Sequence, residues 1–552
     1  MFRQSKNVLM MVLCLMMATV AMCAIPPPID GPHLVPQPRS LTFGSEVMQV
    51  SPSQFSIETS STSSILLGAI ERYRQLLFSF GPGAGTSGDS NATLIIKVGS
   101  ESEVLQLGIS ENYTLSVNSL YDMTITADTV FGAMHALETF SQLISYDLNN
   151  NTYTIANVPI QIDDYPRFPW RGIQIDTGRH FMPTNFLLHI IEACAYNKLN
   201  VLHWHVVDAE SFSAQVPSMM NITELGAFYN NEVAMYTPDQ IQEIVAYGLS
   251  WGVRIVPEFD VPAHTFSWSK AFPEVMAVCP SYTDLDGMPM TPALDLTYEV
   301  INTVYTDMAK MFIDTVFHSG GDEVPYSCWQ EDPTITAFMK DNKLDSYTDL
   351  ETYFQDKITG ILDNNQRTKM IWQDPWANGC PIRSDTIIQV WQFGDLQKIV
   401  NDKLRAVASF SYYLDMQSPI GVSHYEFEDT WQDFYSAVSD PQYQITTNAD
   451  YVIGGEACMW GEQVDQRDFD VRVFPRTVAI AERLWSDVSV TDVNNALARF
   501  NPFSCHIANR GIQSGPLFPD WCLLLSDFAD NVRKPNFRLT KQQIKDLYQS
   551  QQ

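Results

Sequence analysis

Positive charge is scarce in this 552-residue chain: 33 Lys and Arg stand against 64 Asp and Glu, a formal net charge of -31 at pH 7. A surplus of that sign repels phosphate backbones and argues against a nucleic-acid partner. Long apolar runs are scarcer still. One, Val8 to Cys23, follows Arg3 and Lys6 and ends in the small residues Ala21, Cys23 and Ala24. It is short for a membrane span and reads as a signal peptide over residues 1–24. No later run is long and apolar enough to cross a bilayer, so the expectation is a mature protein in the secretory pathway with no stable membrane span. Cysteine is also thin: of nine, Cys14 and Cys23 fall in the leader, and the seven left cannot all pair within one chain. A chain this large does not rely on disulfides for its core.

What is present describes a globular protein. Hydrophobic residues make up 45% and charged residues 18%, with 31 Pro and 12 Trp, which excludes a disordered chain and a coiled coil. The length accommodates two or more domains. Asn91-Ala-Thr, Asn112-Tyr-Thr, Asn150-Asn-Thr and Asn221-Ile-Thr are glycosylation sequons in keeping with secretion.

Residues 25–165 read as a small α+β domain. Leu94 to Val98 is strand-like, Met123, Ile125 and Ala127 alternate with polar residues, and Ile65 to Phe78 and Thr129 to Ile144 have helical spacing. Gly81 to Ser90 reads as a flexible loop. The domain has no catalytic constellation and is expected to pack or orient. The polar run Asp147 to Asn151 and the proline-punctuated stretch Val158 to Pro169 mark its boundary.

From Trp170 onward, strand-like and helix-like segments alternate. Expected strands are Arg171 to Asp176, Asn200 to Val207, Arg254 to Phe259, Met311 to Gly320, Lys369 to Trp372, Thr386 to Trp391, Arg405 to Ser411 and Tyr451 to Glu456. Leu187, Ile190, Ile191 and Cys194 form one helical face, and Thr237-Pro238-Asp239-Gln240 supplies a capping box before a helix ended by Gly252. Eight strands with helices between them predict an α/β fold, a (β/α)8 TIM barrel over residues 166–552 with a C-terminal helical segment outside it. Asp176 with Arg179, Asp208, Glu258 with Asp260, Asp322 with Glu323, Asp374, Asp415 and Glu462 all fall at or just past expected strand ends, where barrel enzymes build active sites. Adjacent Asp and Glu commonly form no more than a solvated loop; recurrence of acids around the rim is what favours a site. Trp372, Trp391, Tyr412, Tyr413 and Trp460 also follow strands, and indole faces beside carboxylates suit a sugar ring and its hydroxyls.

His318-Ser-Gly-Gly-Asp-Glu323, Arg171-Gly-Ile-Gln-Ile-Asp-Thr-Gly-Arg179-His180, Asn200-Val-Leu-His-Trp-His205, Pro257-Glu-Phe-Asp-Val-Pro-Ala-His264 and Gly455-Glu-Ala-Cys-Met-Trp-Gly-Glu462 resemble the motifs of family 20 β-N-acetylhexosaminidases of the animal lysosomal type. The resemblance runs from about Val35 to Cys522. It implies substrate-assisted, retaining removal of terminal β-linked N-acetylglucosamine or N-acetylgalactosamine from glycans, with no cofactor and no metal, in the lysosome or after secretion. By the same matching, Glu323 is the general acid, Asp322 orients the 2-acetamido group and Tyr413 donates to its oxygen. Arg179, Glu462 and Asp415 grip sugar hydroxyls, Trp372, Trp391 and Trp460 wall the pocket, and Asp208 and His264 form a polar chain to the acid. The resemblance pairs Cys279 with Cys328 and Cys505 with Cys522, leaves Cys194, Cys380 and Cys458 unassigned, and carries over a homodimer as an expectation.

The chain departs from the pattern at Ala209, where relatives often carry a second acid, and at Met416, which resembles a site for neutral rather than sulfated or sialylated substrates. A disulfide that some relatives have in the N-terminal domain has no counterpart. Two other readings stay in view. His203-Trp204-His205 could open a metal site, but of the later histidines His264, His318 and His424 none forms a recognisable ligand pair. A catalytically silent glycan-binding protein on the same fold should have lost one of Asp322, Glu323 and Tyr413, and all three are present.

Overall fold

The computed structural model describes residues 29–80, 91–118, 120–415, 430–522 and 537–551. The leader over residues 1–24, the Gly81–Ser90 loop, Met416 and His424 lie outside the described residues.

The N-terminal layer is a seven-stranded sheet: β1 (Ser40–Val50), β2 (Phe55–Thr59), β3 (Ala92–Ser100), β4 (Tyr113–Val117), β5 (Asp122–Thr129), β6 (Ile144–Asp147) and β7 (Thr152–Asp164). They are arranged β1-β7-β4-β5-β3-β2, with β6 paired to β7. The alternation of Met123, Ile125 and Ala127 places all three in the core. Helices Ser64–Leu77 and Val130–Leu143 start where Ser63 and Thr129 accept N–H groups of their first turns. Of these seven strands only β3 and β5 were legible in the sequence. Val158 to Asp164, expected as part of a boundary, is the second half of its longest strand and pairs with both β1 and β4.

The rest of the chain closes into a barrel of eight parallel strands. They are β8 (Trp170–Asp176), β9 (Val201–Val207), β10 (Arg254–Phe259), β11 (Val316–His318), β12 (Thr368–Trp372), β13 (Ile387–Val390), β14 (Arg405–Ala408) and β15 (Val452–Met459), with β15 paired back to β8. Every residue of β8, β9, β10 and β15 is buried, as expected of strands covered on both faces. The predicted capping box at Thr237 and the left-handed cap at Gly252 (φ 74°) bound the helix Pro238–Trp251. One expected strand is wrong in extent. The run Met311 to Phe317 is the end of helix Asp295–Met311, then a turn in which Asp314 accepts the Val316 N–H and binds Arg254, and only then a three-residue strand. Three local structures share one apolar run because each buries its own residues against the same core.

Inside the barrel the side chains stack in tiers. Trp170, Val201, Val256, Val316, Met370, Ile387, Val407 and Ile453, one from each strand, form an apolar plug. Two residues further along their strands the tier turns polar: His203, Glu258, His318, Trp372 and Gln389, joined by Glu456. Above it opens the C-terminal rim. Helix Val493–Asn509 buries Ala496 and Phe500 outside the barrel. Among the described residues, no helix is long and apolar enough to cross a membrane.

Candidate active site

The strand β11 is short because its chain turns sharply at the rim. Gly320 (φ 65°) and Gly321 (φ 101°) carry the backbone through left-handed conformations, and Glu323 (φ 50°) does so with a side chain. A Cβ on Gly320 would lie 1.6 Å from Asp260 Oδ1, so glycine is required there. The turn sends neighbouring acids into different surroundings. Asp322 keeps 13% of its side chain exposed and Glu323 keeps 57%. Glu323 donates its backbone N–H to Asp374 Oδ1 at 3.2 Å, and the other oxygen of Asp374 takes the Trp391 indole N–H at 2.7 Å.

His264, also left-handed at φ 58°, sits between the two acids. Its Nε2 lies 3.4 Å from Glu323 Oε2 and 3.8 Å from Asp322 Oδ2, while its Nδ1 lies 3.4 Å from Asp208 Oδ1. Left-handed backbone at two non-glycine residues whose side chains meet costs of order 1–3 kcal/mol each and is the kind of strain that collects at functional sites. Burial disfavours a charged His264, but Asp208, Asp286 and Glu323 outweigh it and raise its proton affinity well above the usual histidine range. The His264 hydrogen bond in turn holds Glu323 below the ordinary carboxylate range, against the opposing effect of burial. Asp322 is the reverse. Burial and the neighbouring Asp260 push it well above the carboxylate range, and Asp260, raised chiefly by burial, reaches about 7. Asp260 also accepts the Gly321 N–H at 2.8 Å.

Arg179 is gripped by carboxylates: Asp208 at 2.8 Å, Asp286 at 3.1 Å, and Asp176 and Glu210 each at 3.3 Å. Its guanidinium lies 5.3 Å from the Trp460 ring centroid. Trp460 and Trp372 stand 5.8 Å apart, and the Trp372 indole donates to Glu258 Oε1 at 2.7 Å. Across the rim, Tyr413 bridges to Cys458 in parallel fashion and is close enough to Trp460 and Asp322 to feel both. Burial raises its phenol far above the usual range, so it stays a hydrogen-bond donor. Burial also lifts Asp415 to about 7 and raises Glu462 against the pull of Arg179. Tyr412, by contrast, turns into the core.

Glu258 was read only as a rim acid; it is the hub of the polar tier. It accepts from Trp372, meets His205 Nδ1 at 2.6 Å, His203 Nε2 at 3.2 Å and His318 Nδ1 at 3.0 Å. Burial alone would raise it, but the histidines hold it well below the carboxylate range. His205 then reaches Asp208 at 2.6 Å, which links Trp372 to Arg179 through buried groups. His203, Glu258 and His318 present ligand atoms within 4.8 Å of one another, a grouping invisible in sequence because the three come from three different strands. His203 Nδ1 is engaged by Glu456 at 2.6 Å and His318 Nδ1 accepts the Gly320 N–H at 3.0 Å. Asp286 and Glu210 were not foreseen as partners of the site either. Asp374 had been noted at a strand end, whereas Asp286 and Glu210 lie on loops with no periodicity to point at them.

Disulfides join Cys279 to Cys328 and Cys505 to Cys522, while Cys194, Cys380 and Cys458 are buried thiols. The first ties the loop bearing Asp286 to the helix Tyr326–Glu331 that follows Glu323.

Comparison with known proteins agrees with this architecture. Residues 168–488 match the catalytic domain of glycosyl hydrolase family 20, and residues 34–143 match a beta-acetyl hexosaminidase like domain. Beta-hexosaminidase subunit A1 of Dictyostelium discoideum is 42% identical over 515 residues, covering 93% of this chain and 95% of that protein. The alpha subunit of mouse beta-hexosaminidase is 34% identical, covering 83% and 88%. Among solved structures, the chitobiase of Flavobacterium johnsoniae superposes with a TM-score of 0.76 at 28% identity, covering 87% of this chain and 73% of its own. The chain belongs to glycosyl hydrolase family 20 and is a glycoside hydrolase.

Proposed function

We propose that the protein is an exo-acting β-N-acetylhexosaminidase that removes terminal β-linked N-acetylglucosamine or N-acetylgalactosamine with retention, using the substrate's own 2-acetamido oxygen as nucleophile. The observation that carries this reading is the placement of Asp322 and Glu323 side by side around one nitrogen of His264. A retaining enzyme with its own nucleophile sets two carboxyl groups about 5–5.5 Å apart on opposite faces of the sugar, a scheme to which family 20 is a known exception. Asp322, buried and pushed well above the carboxylate range, is poorly suited to attack carbon.

In the proposed reaction the acetamido oxygen bonds to the anomeric carbon as the bond to the leaving oxygen breaks, and Glu323 gives that oxygen its proton. Asp322, in its ionised form, accepts the acetamido N–H, and its charge stabilises the oxazolinium that forms. Tyr413 donates to the acetamido oxygen, a preorganised contact of the oxyanion-hole kind. Water then attacks the same carbon, Glu323 takes its proton, and the acetamido group is restored. Arg179, Asp415 and Glu462 hold hydroxyls, Trp372 and Trp460 supply apolar faces, and Trp391 closes the side nearest Glu323. In the empty site His264 keeps Glu323 ionised; a bound sugar covers the exposed carboxyl, and loss of water favours the protonated form. An acidic compartment favours it further, in keeping with a lysosomal or secreted enzyme and with the exposure of Asn91, Asn112, Asn150 and Asn221.

The test is turnover of a chromogenic N-acetyl-β-glucosaminide by the wild type and Glu323→Gln. Turnover by the wild type and its loss in a folded variant support the reading. No turnover by folded wild type favours a silent glycan-binding protein, and full activity in the variant removes Glu323 as the acid.

A further inference from the structure

The segment from Cys279 to Met290 belongs to no strand or helix, yet it is firmly fastened. The Cys279–Cys328 disulfide holds it to the helix after Glu323. Met290 N–H donates to Pro262 O at 2.7 Å, Ala277 N–H to Pro289 O at 3.0 Å, and Thr265 Oγ1 to Met288 O at 3.3 Å. It is therefore fixed against the two pieces of chain that carry His264 and Glu323. From it Asp286 reaches in: Oδ1 lies 3.1 Å from Arg179 Nη2 and 3.4 Å from His264 Nδ1, while 46% of the side chain stays exposed. Beside it stands Tyr282, half-buried, its hydroxyl so close to Gly287 that a Cβ there would come within 2.5 Å. Leu285 next to them is 49% exposed. The Tyr282 phenol is raised by burial and by Asp284, Glu323 and Asp286, and lowered by His264, which places it within electrostatic reach of the proton donor.

Resting on the reading above, the sugar that is released sits in the enclosed pocket of Trp372, Trp460 and Asp322, with its glycosidic oxygen at Glu323. The next unit of the glycan must then lie outward from Glu323, over the solvent-facing groups beside it. We infer that the loop Cys279–Met290 binds the sugar unit on the leaving-group side of the scissile bond, with the Tyr282 ring as its apolar platform and Asp286 as acceptor for one of its hydroxyls. A ring and a carboxylate on a disulfide-held loop are the pairing that sugar recognition needs. The substrate class is thus a β-linked oligosaccharide, favoured over a simple glycoside.

The experiment compares kcat/KM for N,N′-diacetylchitobiose with that for N-acetyl-β-glucosaminyl fluoride, which has no sugar on the leaving side. Tyr282→Ala should lower kcat/KM for the disaccharide by about fivefold to tenfold, the scale of one ring contact, and leave the fluoride within about twofold. Tyr282→Trp should restore the disaccharide rate. Asp286→Asn, a second variant that keeps the loop's shape, should raise KM for the disaccharide more than for the fluoride. Equal losses on both substrates, or no loss on either, would overturn the proposal. A wild type that cleaves the fluoride but not the disaccharide overturns this subsite alone; one that cleaves neither overturns the proposed function and this inference with it.

Discussion

The two ends of the barrel both bury charge, and they do so by opposite rules. At the N-terminal end each cation has its own acid. Arg171 forms a fork with Glu111 at 2.6 and 2.9 Å, Lys198 meets Asp164 at 3.0 Å, and Arg254 takes both oxygens of Asp314 at 2.7 and 2.8 Å. Two of these acids come from the N-terminal sheet domain, so the pairs fasten that domain beneath the barrel. At the C-terminal end acids outnumber their partners. Asp260, Asp322, Asp374, Asp415 and Glu462 are all raised, in each case chiefly by burial, and Arg179 is shared among several carboxylates. A balanced buried pair is costly to break, because losing one partner strands the other charge, whereas a surplus of acids leaves protons to share and move.

The largest expected effect breaks the catalytic end alone. Glu323→Gln should lower kcat on an aryl N-acetylglucosaminide by about 10²- to 10⁴-fold, the usual worth of a positioned proton donor, with an unfolding midpoint close to that of the wild type. Glu111→Gln should do the converse. It leaves Arg171 buried without its counter-charge and should cost about 3–5 kcal/mol in denaturant unfolding, with kcat of the folded fraction within about twofold. Partners hold Glu111 down at about 2 against the effect of burial, so its contribution to stability is present above the unfolded value near 4.5 and is lost as pH falls toward 2. Acid unfolding of the wild type should steepen in that window, and the variant should lack the step.

Smaller effects sharpen the contrast. Asp374→Ala removes the acceptor shared by the Glu323 backbone and Trp391, and should lower kcat by about tenfold, the scale expected when a catalytic group is misplaced rather than removed. His264→Asn should move the pH profile. A cation beside a carboxylate lowers its pKa, so removing it lets Glu323 rise; the alkaline limb of kcat/KM, which reports the protonated acid, should shift to higher pH.

The strands of the barrel were legible because strands buried on both faces leave continuous apolar runs. The N-terminal sheet was less so. β1 exposes Phe43 and Val47 and slips register between Phe43 and Glu46, and β7 carries Pro159 in mid-strand, so neither shows a clean alternation. In the site, the presence of Asp322 and Glu323 at a strand end could be read from sequence, but not what distinguishes them. That depends on the left-handed turn at Glu323 and on Asp260 and His264, which arrive from the loop after β10. Asp286 and Glu210 obey no periodicity, since their positions are set by loops whose geometry comes from packing. Glu258 could be placed near a strand end, but its burial beneath Trp372 follows only from closure of the barrel.

The most direct test of the central claim replaces the substrate's 2-acetamido group with its mono-, di- and trifluoro analogues on one aryl glycoside. Fluorine weakens the amide oxygen as a nucleophile and leaves the leaving group untouched. The account predicts a steady fall in kcat along the series, reaching at least about a hundredfold, some 2.7 kcal/mol, for the trifluoro compound. A kcat that stays level while all four are turned over would contradict it and assign the attack to a protein carboxylate.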